Sequence, residues 1–206
     1  FDLATTARLL KLRGQAMQAA VPVGVGAMAA LLGGGLDAAQ ALADASAAGE
    51  VCSVANDNDP TQVVISGHAG AIERVIAAAK AHGFKRGIAL PVSAPFHCPL
   101  MQPAADAMAE ALAKHPPAAP LVPVFANVTA APVSEPADIP RLLVEQVTGR
   151  VRWRESVAAM EAAGVEHFVE FGGKVLGSMV KRSAVGEVEA LSIVAMDDIE
   201  ALLKAL

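Results

Sequence analysis

Between Pro22 and Pro91 the chain alternates apolar runs with turn residues so regularly that few architectures can accommodate it. Ala27–Leu32 reads as a strand, and the alanine-rich stretch Leu36–Ala48 as a helix that Gly49 ends. Val51–Ala55 is a strand, and Asn56-Asp57-Asn58-Asp59-Pro60 has the composition of a turn. Gln62–Ser66 is the next strand. Ala69–His82 is a helix with Ile72, Val75, Ile76 and Ala79 on its buried stripe, and Phe84–Val92 is the last strand. The order β-α-β-β-α-β is the split pattern of a ferredoxin-like unit. With 54% hydrophobic but only 3% aromatic residues, its core must be built from Ala, Val, Leu, Ile and Met.

The unit runs directly into Pro91-Val92-Ser93-Ala94-Pro95-Phe96-His97-Cys98-Pro99-Leu100-Met101. The prolines here deny the segment regular structure and push Ala94 and Cys98 toward extended geometry. His97 therefore sits in a stiff loop between a strand pattern and a helix pattern. That is a good station for proton transfer and equally the place for an incidental surface histidine.

Upstream, Leu3–Ala19 reads as a helix with Arg8, Lys11, Gln15 and Gln18 on a narrow polar face. Leu3, Ala7, Leu9, Leu10, Leu12, Ala16 and Met17 fill the remaining arc. Arg13 falls in the middle of that apolar arc. A guanidinium there needs an anion. By spacing alone, a buried ion pair with a protein carboxylate fits as well as a bidentate clamp on a substrate carboxylate.

Downstream, Leu100, Ala104, Met108 and Leu112 form a helical stripe, and Pro123–Thr129 reads as a strand. Ile139–Val147 and Trp153–Ala163 read as helices, and His167–Phe171 as a strand. A helix opens at Gly172-Gly173-Lys174-Val175-Leu176. A strand over Glu189–Ala195 and a helix over Asp198–Leu206 close the chain. Gly33-Gly34-Gly35 lacks the lysine and spacing of a phosphate loop and reads as a flexible turn.

Ser93-Ala94-Pro95-Phe96-His97-Cys98-Pro99-Leu100-Met101 resembles the histidine motif of malonyl-CoA:acyl carrier protein transacylases, the acyltransferases of fatty acid synthesis. Leu12-Arg13-Gly14-Gln15-Ala16-Met17 is similar to the segment of that family whose arginine binds the malonyl carboxylate. The resemblance implies an α/β acyltransferase fold. An α/β-hydrolase-like large subdomain (1–23 and 93–206) would carry the inserted ferredoxin-like small subdomain (24–92). It implies His97 as the catalytic base, oriented by the backbone carbonyl of Gln146. It implies Arg13, Met17, Asn56 and Phe96 as substrate-binding residues. Malonyl-CoA and acyl carrier protein are the implied partners. The coenzyme A thioester is a substrate, and neither a further cofactor nor a metal is implied.

The serine elbow Gly-x-Ser-x-Gly that this family uses is absent from the 206 residues. Ser66-Gly67-His68 matches it only superficially. Cys98 is a poor substitute nucleophile, because the side chains of sequence neighbours diverge. The chain opens on Phe1 inside a helix pattern, so the expectation is a fragment whose elbow lies on an upstream segment or a complementary chain. A non-catalytic interaction module and an acyltransferase domain of a larger synthase are the rival readings.

The formal charge of −5 speaks against a nucleic-acid surface. No apolar run is long enough for a membrane span. Two cysteines, Cys52 and Cys98, are too few for a disulfide framework and point to the cytoplasm.

Overall fold

A computed structural model of the chain describes residues 1–205. Helix α1 (Leu3–Ala19) starts at Asp2, whose carboxylate accepts the backbone N–H of Thr5 at 2.6 Å. This is an ordinary side-chain N-cap. Only Leu9 and Met17 of α1 are buried, whereas Leu3 and Leu10 face solvent. The broad apolar arc read from the sequence is thus only partly covered. Among the described residues α1 packs mainly on one later helix, α4 (Gln102–Ala113).

The six alternating elements follow as β1 (Gly26–Leu32), α2 (Leu36–Ala47), β2 (Cys52–Asp59), β3 (Gln62–His68), α3 (Ala69–Ala78) and β4 (Arg86–Ala89). They form one antiparallel sheet in the order β2-β3-β1-β4. That order is the ferredoxin-like arrangement the alternation predicts. Period-two alternation gives the sheet two faces. Ala29, Leu31, Val54, Val63 and Ile65 pack with Leu42, Ile72 and Val75 of α2 and α3. Met28, Ala30, Ala55 and Val64 form the opposite face, against which Leu90 and Phe96 pack.

Two boundaries differ from the sequence reading. The predicted turn Asn56–Asp59 is strand, and the turn itself is confined to Pro60-Thr61. Asn and Asp favour turns when their side chains are free to bond the local backbone. Here Asp57 and Asp59 are buried against arginines from other elements, and tertiary pairing overrides the local preference. Conversely, β4 ends at Ala89 and α3 at Ala78, both shorter than read.

The remaining elements are a short 3-10 turn (Pro99–Met101), α4, the hairpin β5 (Val124–Ala126) and β6 (Ala131–Val133), α5 (Asp138–Thr148), α6 (Trp153–Ala162), β7 (His167–Phe171), α7 (Leu176–Ser183), β8 (Glu189–Ile193) and α8 (Met196–Ala205). Strand β6 carries Pro132, which a short two-stranded hairpin tolerates at its edge. β7 and β8 pair in parallel, joined by α7. A second core forms where Leu9 and Met17 of α1 meet Met101, Ala104, Met108, Leu112 and Val147. No helix among the described residues is long and apolar enough to cross a membrane.

Candidate active site

The loop that carries His97 is wedged between the two cores. Phe96 packs on the α1–α4 core and also on the open face of the four-stranded sheet. Ser93 ties the loop to α1, its hydroxyl donating to Gln18 Oε1 at 2.6 Å. Pro95 lies so close to β1 that a Cβ on Gly26 would sit 2.2 Å from its Cγ. A proline ring cannot swing aside. Gly26→Ala is therefore expected to displace the His97 loop and to lower kcat of the full-length protein about 10- to 100-fold. Steady-state rates beside a thermal melt would check this, since a change confined to Tm would show that the close approach matters only for folding.

His97 itself has φ +57°. A side chain in this left-handed region costs about 1–2 kcal/mol relative to the ordinary one. The loop holds it there and aims the ring at the end of α5. Nδ1 lies 3.0 Å from the backbone carbonyl of Gln146. That carbonyl belongs to the last turn of α5, where helix geometry leaves C=O groups without intrahelical partners. A carbonyl can only accept, so Nδ1 carries the proton and Nε2 keeps a lone pair. The negative end of the helix also favours positive charge on the ring when Nε2 takes a proton.

Burial lowers the His97 pKa below its ordinary value. The Gln146 carbonyl pulls the other way, and the positive charge of Arg13 lowers the pKa further. The ring is thus neutral at pH 7 and competent as a base. An activity that needs this base is level through neutral pH and falls only on the acid side, with an apparent pKa below 6.5. A kcat/KM profile of the full-length protein checks this, and an acid limb above 6.5 contradicts it.

Arg13 is half-buried on α1. Burial lowers its pKa, yet a guanidinium remains charged at any working pH. None of the ion pairs among the described residues includes it. It lines a cavity of about 370 Å³ whose walls include Leu9, Met108, Leu112 and Gln146 and no acidic residue. Gln146 links the two: its carbonyl meets the His97 ring and the residue lines the Arg13 cavity, and the Arg13 charge is near enough to act on His97.

The other residues singled out in the sequence sort differently. Met17, one turn beyond Arg13, is buried in the α1–α4 core. Asn56 lies opposite Val64 in the β2–β3 register, which places it on the sheet face that Phe96 covers. The side chain of Gln146 donates to the Gly149 carbonyl at 3.0 Å. Cys98 is fully buried, its thiol donates to the Pro95 carbonyl at 3.1 Å, and burial raises its pKa. All three oppose thiolate formation. Among the described residues no cluster of His, Cys, Asp and Glu is arranged to hold a metal ion.

The sequence reading passed over Asp57 and Arg154. The Asp57 carboxylate, 1% exposed, accepts Arg154 Nη2 at 2.8 Å and Nε at 3.1 Å. A run of acidic and amide residues gave no hint that one of them would be buried in an ion pair.

A histidine ring held by a helix-end carbonyl, near an arginine that has no ion-pair partner among the described residues, is an arrangement suited to proton transfer beside a bound anion. The chain belongs to the acyl transferase domain family, whose model matches residues 3–193. It is 46% identical to the malonyl CoA-acyl carrier protein transacylase of Escherichia coli K12, over all of this chain and 65% of that protein. Against the Salmonella typhimurium transacylase the identity is 47%, over 93% of this chain and 64% of the relative. The crystal structure of acyl-carrier-protein-S-malonyltransferase from Bartonella henselae superposes with a TM-score of 0.94 at 48% identity. It covers the whole of this chain and 65% of the solved one. A malonyl-transacylase solved with its holo type II PKS acyl carrier protein gives 0.92 at 38% identity, over 97% of this chain and 64% of that one. The chain spans slightly less than two thirds of these relatives.

Proposed function

We propose that the full-length protein transfers malonyl from coenzyme A to the phosphopantetheine thiol of an acyl carrier protein, through an acyl-serine intermediate. The observation that carries this reading is Arg13, a half-buried cation with no ion-pair partner among the described residues, on a cavity also lined by Gln146, whose carbonyl holds the His97 ring. The likeness to the malonyl transacylases supports it, and the family pattern puts the serine elbow ahead of the position of Phe1.

In this scheme the serine oxygen attacks the thioester carbonyl while His97 Nε2 accepts its proton. The proton then passes to the departing coenzyme A sulfur. In the second half the carrier thiol gives its proton to Nε2 and attacks the acyl-serine carbonyl; the bond to the serine oxygen breaks, and that oxygen takes the proton back from Nε2. Arg13 holds the malonyl carboxylate throughout. The family likeness adds Met17, Asn56 and Phe96 as further substrate-binding residues. The Gln146 carbonyl keeps the imidazole in the Nδ1–H tautomer.

The test is to incubate full-length protein with labelled malonyl-CoA and no acceptor, and to locate the label by mass spectrometry. A stoichiometric malonyl-serine outside the 206 residues is expected, and the 206-residue chain alone should take up none. A malonyl adduct on Cys98 would overturn the assignment.

A further inference from the structure

We propose that Asp57 and Arg154 are a positioning pair for the His97 imidazole, acting through the segment that presents the Gln146 carbonyl. This rests on the reading of His97 as the base. Between Gln146 and Arg154 the chain leaves α5, crosses β2 and enters α6. Each step of that crossing is fastened. Gly149 N–H donates to the Glu145 carbonyl at 2.8 Å, and the Gln146 side chain donates to the Gly149 carbonyl at 3.0 Å. Val151 then pairs in parallel with β2 beside Asn56. Its N–H donates to the Ala55 carbonyl and its carbonyl accepts from Asp57 N–H, both at 2.8 Å.

Three residues later, Arg154 closes on the Asp57 carboxylate. Asp57 therefore holds the crossing twice, by its backbone N–H and by its side chain. The next residue back along β2, Asn56, lies on the sheet face that Phe96 covers. The distance that matters is the 3.0 Å between His97 Nδ1 and the Gln146 carbonyl. A shift of about 0.5 Å, or a tilt of the N–H···O angle below about 120°, is enough to lose a hydrogen bond of that length. A crossing segment freed from β2 would let it lengthen. His97 would then lose the bond that selects its tautomer and fixes its ring in a left-handed backbone position.

The structure contains its own control. Asp59, two residues further along β2, is equally buried at 1% exposure and pairs with Arg182 of α7 at 2.9 Å. It also carries bonds from the N–H and hydroxyl of Thr61. It joins the same sheet to the rest of the molecule, but α7 has no short chain path to Gln146. An effect that came merely from loosening the sheet should appear in both carboxylates. An effect on His97 should appear in Asp57 alone.

The experiment uses the full-length protein as wild type, Asp57→Asn and Asp59→Asn, with ¹⁵N-labelled histidine. In the wild type the His97 Nδ1–H proton should give a slowly exchanging imidazole signal in the NMR spectrum. Asp57→Asn should lose that signal. It should also lower kcat for malonyl transfer about 10- to 100-fold, with KM for malonyl-CoA changing less than about 3-fold. Asp59→Asn should keep the signal and the rate, even if its Tm falls. An Asp57→Asn protein that retains both, or an Asp59→Asn protein that loses both equally, overturns the proposal.

If Asp57→Asn does not fold, Arg154→Lys serves instead. Lysine keeps the charge but not the two-nitrogen fork, so a partial loss of signal and kcat is expected, and no loss overturns the proposal. The NMR readout does not depend on the acyl group. A wild type that transfers no malonyl would remove the functional reading and leave the positioning claim to be decided by the signal.

Discussion

Replacing His97 by alanine in the full-length protein is expected to slow malonyl transfer about 10²- to 10⁴-fold, the usual contribution of a positioned general base. The ring is neutral at pH 7 because burial and the Arg13 charge outweigh the Gln146 carbonyl. Nδ1 is committed to that carbonyl, so only Nε2 can take a proton from the attacking oxygen or thiol. In the proposed scheme both half-reactions use the same nitrogen. The loss should therefore appear in the formation of the acyl-enzyme and also in its discharge. Single-turnover rates of each half-reaction measure this, and a loss below tenfold in both would mean that the imidazole is not the base.

Arg13→Ala is expected to lower malonyl transfer about 30- to 1000-fold while leaving acetyl transfer nearly unchanged, which corresponds to roughly 2–4 kcal/mol for a charge-assisted bond in a partly buried site. The selectivity follows from what surrounds the guanidinium. Among the described residues its cavity is lined by no carboxylate, and Leu9, Met108 and Leu112 give it an apolar wall. An acyl group without a carboxylate leaves the cation unpaired, at a cost in desolvation. Arg13→Lys should fall between wild type and alanine, because an ammonium cannot match both carboxylate oxygens. Rates with malonyl-CoA and acetyl-CoA as competing donors measure the ratio.

The β-α-β-β-α-β unit with its four-stranded sheet was legible in the sequence because its signal is local. Apolar alternation in Ala27–Leu32 and Gln62–Ser66, and the stripe Ile72, Val75 and Ile76, each lie within a few residues. Arg13 was legible as an anomaly, a charge on an apolar arc, but its lack of a protein partner was not, since that depends on α4 and α5. The extension of β2 through Asp59 was hidden. The four residues Asn56–Asp59 have turn chemistry, and backbone pairing with β3 together with ion pairs to arginines about a hundred residues away holds them as strand. The Gln146 carbonyl was assigned by likeness alone. A backbone acceptor leaves no trace in side-chain identity, and its partner lies 49 positions upstream. The left-handed φ of His97 was equally invisible, because neighbouring prolines announce stiffness and not the direction of a ring.

The most direct measurement of the central claim is the intact mass of holo-acyl carrier protein after incubation with full-length protein and equal concentrations of malonyl-CoA and acetyl-CoA. The expected product is carrier malonylated on the phosphopantetheine thiol, with acetylated carrier a minor species in the wild type and a comparable one in Arg13→Ala. Acetylated carrier in equal amount from the wild type, or carrier left unmodified by either thioester, would contradict the account.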